Sequence, residues 1–468
     1  MAEIENKKRS LIFVNIMISA VATSMLATAM TTALPPVTEY FGVSITTGQW
    51  LTSGFSLAQA IVMPLTAFLI TKYPTRKLYL SGIACFLAGE LVSLLAGNFG
   101  VMMLGRILQA CGNGVLASMA QVIILTIYPA ERRGTMMGWF GLAVGTAPII
   151  APTLAGILVD TVGWKAIFAL TMGIMVLSLV MALAMFDDVL ELQDKKFDVL
   201  SFVGSIFAFG GLTLGIGNLG TAGLLSLQAG VPLAVGAASG VFFVARQWSL
   251  EKAFLDVRIL RCKEYALSVT GSMLLYLVMM GGSVLMPLYV QSVLGHSATV
   301  SGLVTLPGSV ATALVSPFAG KLYDKVGIKV LFVSGSALLL ASNLAMYFVT
   351  LNTPLWLAAL FNVLRNVSIG ALMMPLLTWG VSFVEEKKVA DASSLLTALR
   401  TVAGSIGSAV FVSVMTVVAA GSAAAYGAAA EIHGLNVAFA SMSGGSIAML
   451  LLAIFVVKGK RRTVKISV

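Results

Sequence analysis

Fourteen apolar stretches follow one another along 468 residues, near 11–33, 48–71, 78–97, 101–124, 135–159, 164–185, 199–220, 223–244, 265–290, 299–319, 327–350, 354–382, 393–420 and 435–457. Each holds about 20 residues or more, enough at about 1.5 Å per residue to cross a hydrocarbon core of about 30 Å. Charge is distributed as strictly as hydropathy. Of the 29 Lys and Arg residues, 25 fall in the two tails and in alternate connections, among them Lys7, Lys8, Lys72, Arg76, Arg132, Lys195, Arg258, Lys325 and Lys387. The opposite connections hold Lys165 alone, and Arg106, Arg365 and Arg400 lie inside apolar stretches. By the positive-inside rule, the basic connections and both termini are cytoplasmic. The chain therefore reads as an all-α, multi-pass protein of a cell (plasma or inner) membrane, with 14 transmembrane helices.

A hydrophobic content of 58% and a mean hydropathy of +0.98 exclude a soluble domain, whose apolar share is nearer half. The net charge of +10 sits in short turns and tails, where it orients the chain and faces anionic lipid, so nucleic acid is not the expected partner. The first apolar stretch is too long for a signal core and is followed directly by a second. Cys85 and Cys111 lie in spans and Cys262 on the cytoplasmic side, so no disulfide is expected. Trp50, Trp164, Trp356 and Trp139 lie near inferred helix ends, as anchors at the membrane interface do.

Two longer cytoplasmic connections, Phe186 to Asp198 and Ala245 to Glu264, bracket the spans at 199–244 and leave six helices before and six after. The expected organisation is an N-terminal six-helix bundle (1–185), a linker with two additional helices (186–264), and a C-terminal six-helix bundle with a basic tail (265–468). Weak internal similarity accompanies it. Arg106 is followed by Gln109, Gly112 and Gly114, and Arg365 by Asn366, Ser368 and Gly370. The turn after the second helix is basic in both halves, with Lys72, Arg76 and Lys77 against Lys321, Lys325 and Lys329.

The segment Gly320-Lys321-Leu322-Tyr323-Asp324-Lys325-Val326-Gly327-Ile328-Lys329 resembles the signature cytoplasmic loop of the major facilitator superfamily. There a glycine permits close helix approach and the acid meets a helix N-terminus or a basic partner to latch a gate. The first-half counterpart, from Ala67 to Lys77, has Thr71 in place of the acid and Pro74 displacing the second glycine. Leu104 to Gly114 is similar to the superfamily's fourth-helix motif with its membrane-embedded Arg. Gly141 to Gly156, including Pro148 and Pro152, resembles the fifth-helix antiporter motif of drug/proton exporters. Each proline removes a backbone donor and bends the helix, while small residues let it slide on its neighbour. Pro287-Leu288-Tyr289-Val290-Gln291 and Thr31-Thr32-Ala33-Leu34-Pro35 resemble the fourteen-helix drug:proton antiporter branch. The resemblance implies two six-helix bundles plus two extra central helices, a cavity between the bundles opening alternately to each face, and no enzymatic activity.

Many members of that branch carry an Asp nine residues before the helix-1 proline; this chain has Leu26 there. Glu90 is the acid expected inside a span, which makes it the candidate for proton coupling together with Arg106 at matching depth. Its alternative role is to neutralise Arg106 or to reach the headgroups. Gln109, Asn113, Arg365, Asn366 and Arg400 are candidates for lining the cavity, where three Arg against one Glu would disfavour cations. Gly320, Asp324, Lys325, Gly327, Lys72, Arg76, Pro148, Pro152 and Gly156 are the gating candidates. Methionines such as Met373 and Met374 are either pliable lining or gap-filling. No phosphate loop, nucleophilic triad or metal cluster is present in the sequence, and His296 and His433 are expected in outer connections. No cofactor is expected.

The expected function is secondary active export of small hydrophobic or amphiphilic compounds in exchange for protons, by a monomer bathed in membrane lipid. Export or flipping of anionic or zwitterionic amphiphiles such as lipids and fatty acids, and a non-transporting sensor on the same scaffold, are the alternatives.

Overall fold

The structure is a computed structural model and describes residues 6–43, 45–48, 50–190, 192, 198–222, 226–250, 255–296 and 298–457. Glu191, Asp194, Lys195, Lys196, Glu251, Lys252, the basic tail after Val457, and the side chains of Thr31, Thr32, Pro35, Pro148 and Pro152 lie outside the described residues.

A backbone in hydrocarbon must satisfy its own polar groups, and apolar runs of this length do so as helices. Among the described residues there are fourteen helices of 20 residues or more: α1 (Asn6–Phe41), α2 (Trp50–Lys72), α3 (Thr75–Leu94), α4 (Phe99–Ile127), α5 (Ala130–Thr161), α6 (Lys165–Met185), α7 (Val199–Ala222), α8 (Leu227–Ser249), α9 (Lys263–Leu288), α10 (Ala298–Val326), α11 (Ile328–Tyr347), α12 (Leu355–Val381), α13 (Val389–Tyr426) and α14 (Ala430–Leu451). Several run beyond their apolar stretch. α1 continues through Pro35 and Pro36 to Phe41, and α13 begins four residues before the stretch at 393, which places Asp391 inside a helix. α2 bends by 46° between Met63 and Leu65, where Pro64 offers no backbone donor.

The turns explain themselves locally. Pro74, Pro129 and Pro354 each stand immediately before a helix, where the missing N–H is not needed and the preceding residue is kept out of helical conformation. Asn98 caps α4 by accepting from the Val101 amide, and Ser226 caps α8 by accepting from that of Ala229. Gly327 alone joins α10 to α11 with φ 78°, a backbone conformation that a side chain disfavours.

Packing divides the helices into two groups. One apolar core draws on α1–α6, with Ile12, Phe86, Met119 and Phe168; the other draws on α9–α14, with Leu275, Leu339, Leu372 and Phe439. Within the first group a buried knot ties three helices. Tyr79 Oη of α3 and Ser178 Oγ of α6 each donate to Asn15 Oδ1 of α1 at 3.0 Å, while Asn15 Nδ2 donates to the Ser178 carbonyl at 2.8 Å. The first core also takes in Met374, Leu377 and Val381 of α12 and Val389, Leu395 and Leu396 of α13. The two groups are thus fused at one end, the end that carries the basic turns.

Helices α7 and α8 form a hairpin whose first arm packs on α2 and α13. Its base is pinned at the basic end. Asp198 accepts from the Leu200 and Ser201 amides and takes Arg246 Nε and Nη2 at 2.9 and 3.0 Å. Gln247 donates to Ser201 Oγ and accepts from the Leu255 amide. The same end is laced by Lys8 with Asp187, by the Arg76 amide and guanidinium on Asp188 and the Leu183 carbonyl, and by Lys388 with Asp256.

Candidate functional site

A cavity of about 230 Å³ lies between the two groups of helices, lined from α1, α2, α4 and α5 on one side and α9, α12 and α13 on the other. Its wall combines apolar Phe140, Met373 and Met374 with Gln59, Asn113, Gln121 and Arg400. Gln59, Asn113 and Tyr276 sit near the middle of their helices, whereas Gln121 and Met374 lie toward the basic ends of theirs, so the cavity runs from half depth down toward that end.

Toward the basic end the cavity is sealed. Every residue of α13 from Val389 to Ala398 is buried, as is every residue of α12 from Met374 to Val381. A helix buried on all faces over this length has neighbours all round and leaves no passage beside it. Gln121 of α4 and Thr397 of α13 meet across the seal at 3.4 Å.

The α5–α10 seam explains how two helices approach so closely. A Cβ on Gly320 would collide with the Gly134 carbonyl oxygen; one on Gly134 would stand 2.8 Å from the Gly320 carbonyl, and one on Gly138 2.5 Å from that of Ser316. At the end of this seam Asp324 reaches across to α5. Its carboxylate accepts from the Gly134 amide at 3.0 Å and from the Thr135 amide and hydroxyl, each at 2.6 Å. The acid of the loop motif therefore meets the first turns of a facing helix. Lys325 closes α10, Lys72 closes α2, and Arg76 is engaged within its own half.

The first-half counterpart departs as its sequence does. Thr71 donates to the Phe68 carbonyl of its own helix at 2.8 Å. Ser393 and Ser394 occupy the same fifth and sixth positions of α13 that Gly134 and Thr135 occupy in α5, and their hydroxyls have no partner among the described residues. One seam is latched by a carboxylate; the other is not.

Arg106 is held without an acid. Its Nε donates to the Leu51 carbonyl at 3.0 Å, its Nη1 to Gln109 Oε1 at 2.6 Å, and the guanidinium lies 4.3 Å from the Phe55 ring centroid. Gln109 Nε2 in turn donates to the Gly89 carbonyl and Ser93 Oγ of α3. Glu90 is fully buried; among the described residues neither carboxylate oxygen has a partner at hydrogen-bond geometry, although the Thr171 side chain and the Arg106 charge are close enough to act on it. It forms no ion pair with Arg106. Gly89 and Ser93 face α4, which turns Glu90, about 100° round the helix from Gly89, toward Thr171 of α6 and away from the cavity.

Of the residues expected to line the cavity, Asn113 and Arg400 do. Gln109 belongs to the Arg106 cluster. Arg365 lies against Gly282 of α9 and donates to Asn362 at 3.1 Å, while Asn366 donates to Asn362 and accepts from Thr312 of α10. Gly156 faces open space, and a Cβ placed there would meet nothing within 4 Å, so the close approach of α5 is carried by Gly134, Gly138 and Gly141 instead. His433 is on the first turn of α14, stacked on Tyr426 at 4.2 Å, and not in a connection.

Glu90 is not the sole acid within a helix that matters here. Asp391 of α13 is 1% exposed in the sealed end, and sequence reading missed it because it precedes the apolar stretch. Gln121 and Tyr276 were missed as well. For Gln121 a signal existed, since it lies two turns below Asn113 on the same face of α4.

A profile described as the Major Facilitator Superfamily matches residues 13–408. YcnB of Bacillus subtilis, described as an uncharacterized MFS-type transporter, is 34% identical over 432 residues, covering 92% of this chain and 91% of its own. The lincomycin resistance protein LmrB of Listeria monocytogenes is 31% identical and covers 83% of each chain. Among solved structures, the human organic anion transporter MFSD10 superposes with a TM-score of 0.69 at 13% identity, over 95% of this chain and 99% of that one. At that identity the likeness is one of fold.

Proposed function

The chain belongs to the major facilitator superfamily, and from that premise we propose that it is a secondary active exporter of small hydrophobic or amphiphilic compounds, driven by proton antiport. Membership makes it a multi-pass membrane transporter of small molecules and not an enzyme. The observation that carries the export reading is the cavity, walled by both halves and sealed at the basic end by buried α12 and α13. With that end facing the cytoplasm, this reading takes the structure as a member of the alternating cycle that is closed on the cytoplasmic side. A wall of methionine, phenylalanine and amides with a single arginine suits amphiphiles of varied shape. The likeness to LmrB, named for resistance to lincomycin, supports export of toxic compounds as the physiological task.

Glu90 carries the proton in this reading. A carboxyl with no donor to either oxygen is least costly in hydrocarbon with its proton on, and it stands apart from the cavity, so substrate and proton need not compete for one spot. Release of the proton accompanies the rocking of the two halves. The test is accumulation of a hydrophobic dye in proteoliposomes under an imposed pH gradient, wild type beside Glu90→Gln. Gradient-dependent accumulation that the variant loses, with dye binding retained, is the expected result. Equal gradient-driven transport by the variant would remove Glu90 from the mechanism, and no gradient dependence in wild type would end the antiport reading.

A further inference from the structure

Two arginines buried in the two halves are treated differently by their surroundings. Arg106 has both Nε and Nη1 bonded to fixed acceptors. Arg400 is 5% exposed, and its Nε and Nη1 have no acceptor among the described residues. Arg400 lines the central cavity, and its guanidinium lies 4.7 Å from the ring centroid of Tyr276 on α9, a contact that steadies the cation and occupies neither Nε nor Nη1. Among the described residues, no Asp or Glu lines this cavity. Glu90 is packed between helices elsewhere, and Asp391 lies nine residues earlier on α13, about 13 Å along its axis. The remaining polar lining is uncharged, with Gln59, Asn113 and Gln121 offering amides.

A buried cation without an acceptor is costly, and an arginine kept in that condition at a cavity wall is one whose acceptor arrives from outside. Its planar fork matches two oxygens of one carboxylate, sulfonate or phosphate. We propose that Arg400 is an anion-binding subsite of the central cavity, and that the compounds carried are amphiphiles with an anionic group, which pairs with Arg400 while the hydrophobic body lies on Phe140, Met373 and Met374. This deepens the export reading and takes the cavity's location from it, but the charge preference stands on Arg400 alone. An anionic lipid and a soluble anionic amphiphile share the chemistry.

The experiment uses full-length protein in phosphatidylcholine nanodiscs and three dansyl probes that differ only in head: an ethyl sulfonate, a neutral amide and an ethyl trimethylammonium. Fluorescence polarisation is expected to give at least tenfold tighter binding of the sulfonate than of the trimethylammonium. Arg400→Gln is expected to weaken the sulfonate at least tenfold while leaving the amide within about twofold, which also reports that the cavity is intact; Arg400→Lys recovers part of the loss. Wild-type protein that binds the sulfonate no better than the trimethylammonium, absence of all binding included, overturns the proposal whether or not the variants fold. So does an Arg400→Gln protein that keeps both amide and sulfonate affinity. Adding phosphatidylglycerol to the nanodiscs separates the sources: displacement of the sulfonate marks the lipid headgroup as occupant, and no displacement marks a soluble amphiphile. Gradient-driven transport of the amide tests the export reading separately.

Discussion

A carboxyl and a guanidinium at similar depth on neighbouring helices invite pairing, yet Glu90 and Arg106 do not form an ion pair. The reason is the face each residue occupies. On α3 the close-packed stripe is Gly82, Phe86, Gly89 and Ser93, which lies on α4, and Glu90 follows Gly89 by one residue. Spacing along the chain supplies depth, but the stripe of small residues supplies direction, and that stripe was readable. Arg106 instead uses two fixed acceptors that a lysine cannot reach together. Arg106→Lys is therefore expected to lower the thermal unfolding midpoint, by the loss of about 1–2 kcal/mol of charge-assisted bonding; an unchanged midpoint would mean the cluster contributes nothing. Glu90→Gln replaces a protonated carboxyl by a neutral group of the same shape in the same packed place, and is expected to unfold close to the wild-type temperature at pH 7.5. A loss of several degrees would show that the carboxylate has a stabilising partner in the membrane.

The elements were legible in number because hydrocarbon thickness imposes a minimum length on each. Their ends were not, because a helix continues past the bilayer wherever another helix covers it. Asp391 shows the consequence: read as connection, it is buried in the first turn of α13, near Tyr265 of α9, whose hydroxyl donates to the Ala392 carbonyl. The loop motif containing Asp324 was legible down to the residue. Its partner was not, since Gly134 and Thr135 carry no acid-binding signature beyond their place in the opening turns of α5. The seam can be tested directly. Gly320→Ala puts a carbon into the Gly134 carbonyl, so the α5–α10 contact must part at the basic end. In a cysteine-free background, Ser316→Cys is expected to react with maleimide from that end several times faster when Gly320→Ala is present. The α7–α8 hairpin is pinned by Asp198, whose carboxyl the Arg246 guanidinium holds down to about 2, with Ser201 assisting against the opposing effect of burial. A carboxyl depressed in the folded state stabilises it fully above the ordinary value of 3.8 and ceases to as pH falls toward 2. The midpoint difference between wild type and Asp198→Asn is accordingly expected to be constant from pH 8 to about 5 and to narrow below about 4. A difference independent of pH through that window would separate the hairpin's stability from this pair.

At the scale of the molecule the two halves are joined unequally. The α5–α10 seam has interlocked backbones and a carboxylate latch; the α2–α13 seam has Thr71 turned to its own helix, two serine hydroxyls on α13 without a partner among the described residues, and α7 lying along both members. In the proposed alternating cycle, opening the basic end means breaking one latch and parting one tight seam, with the other side as the hinge. In the proposed cycle this latch sets the balance between the two states. Asp324 accepts three hydrogen bonds, and Asn in its place has one acceptor oxygen and a donor that meets the Thr135 amide head-on. Losing one or two bonds to a charged group, at about 1.4 kcal/mol or more in total, shifts a two-state balance at least tenfold toward the state open at the basic end. Asp324→Asn is thus expected to increase maleimide labelling of Ser316→Cys from the basic side in inverted vesicles about tenfold. Labelling of Gln59→Cys in the cavity from the opposite side should fall in the same preparation, because one rigid rearrangement serves both faces. Rising labelling at both positions would mean the halves loosen without rocking, and the single-latch account of alternation would then fail.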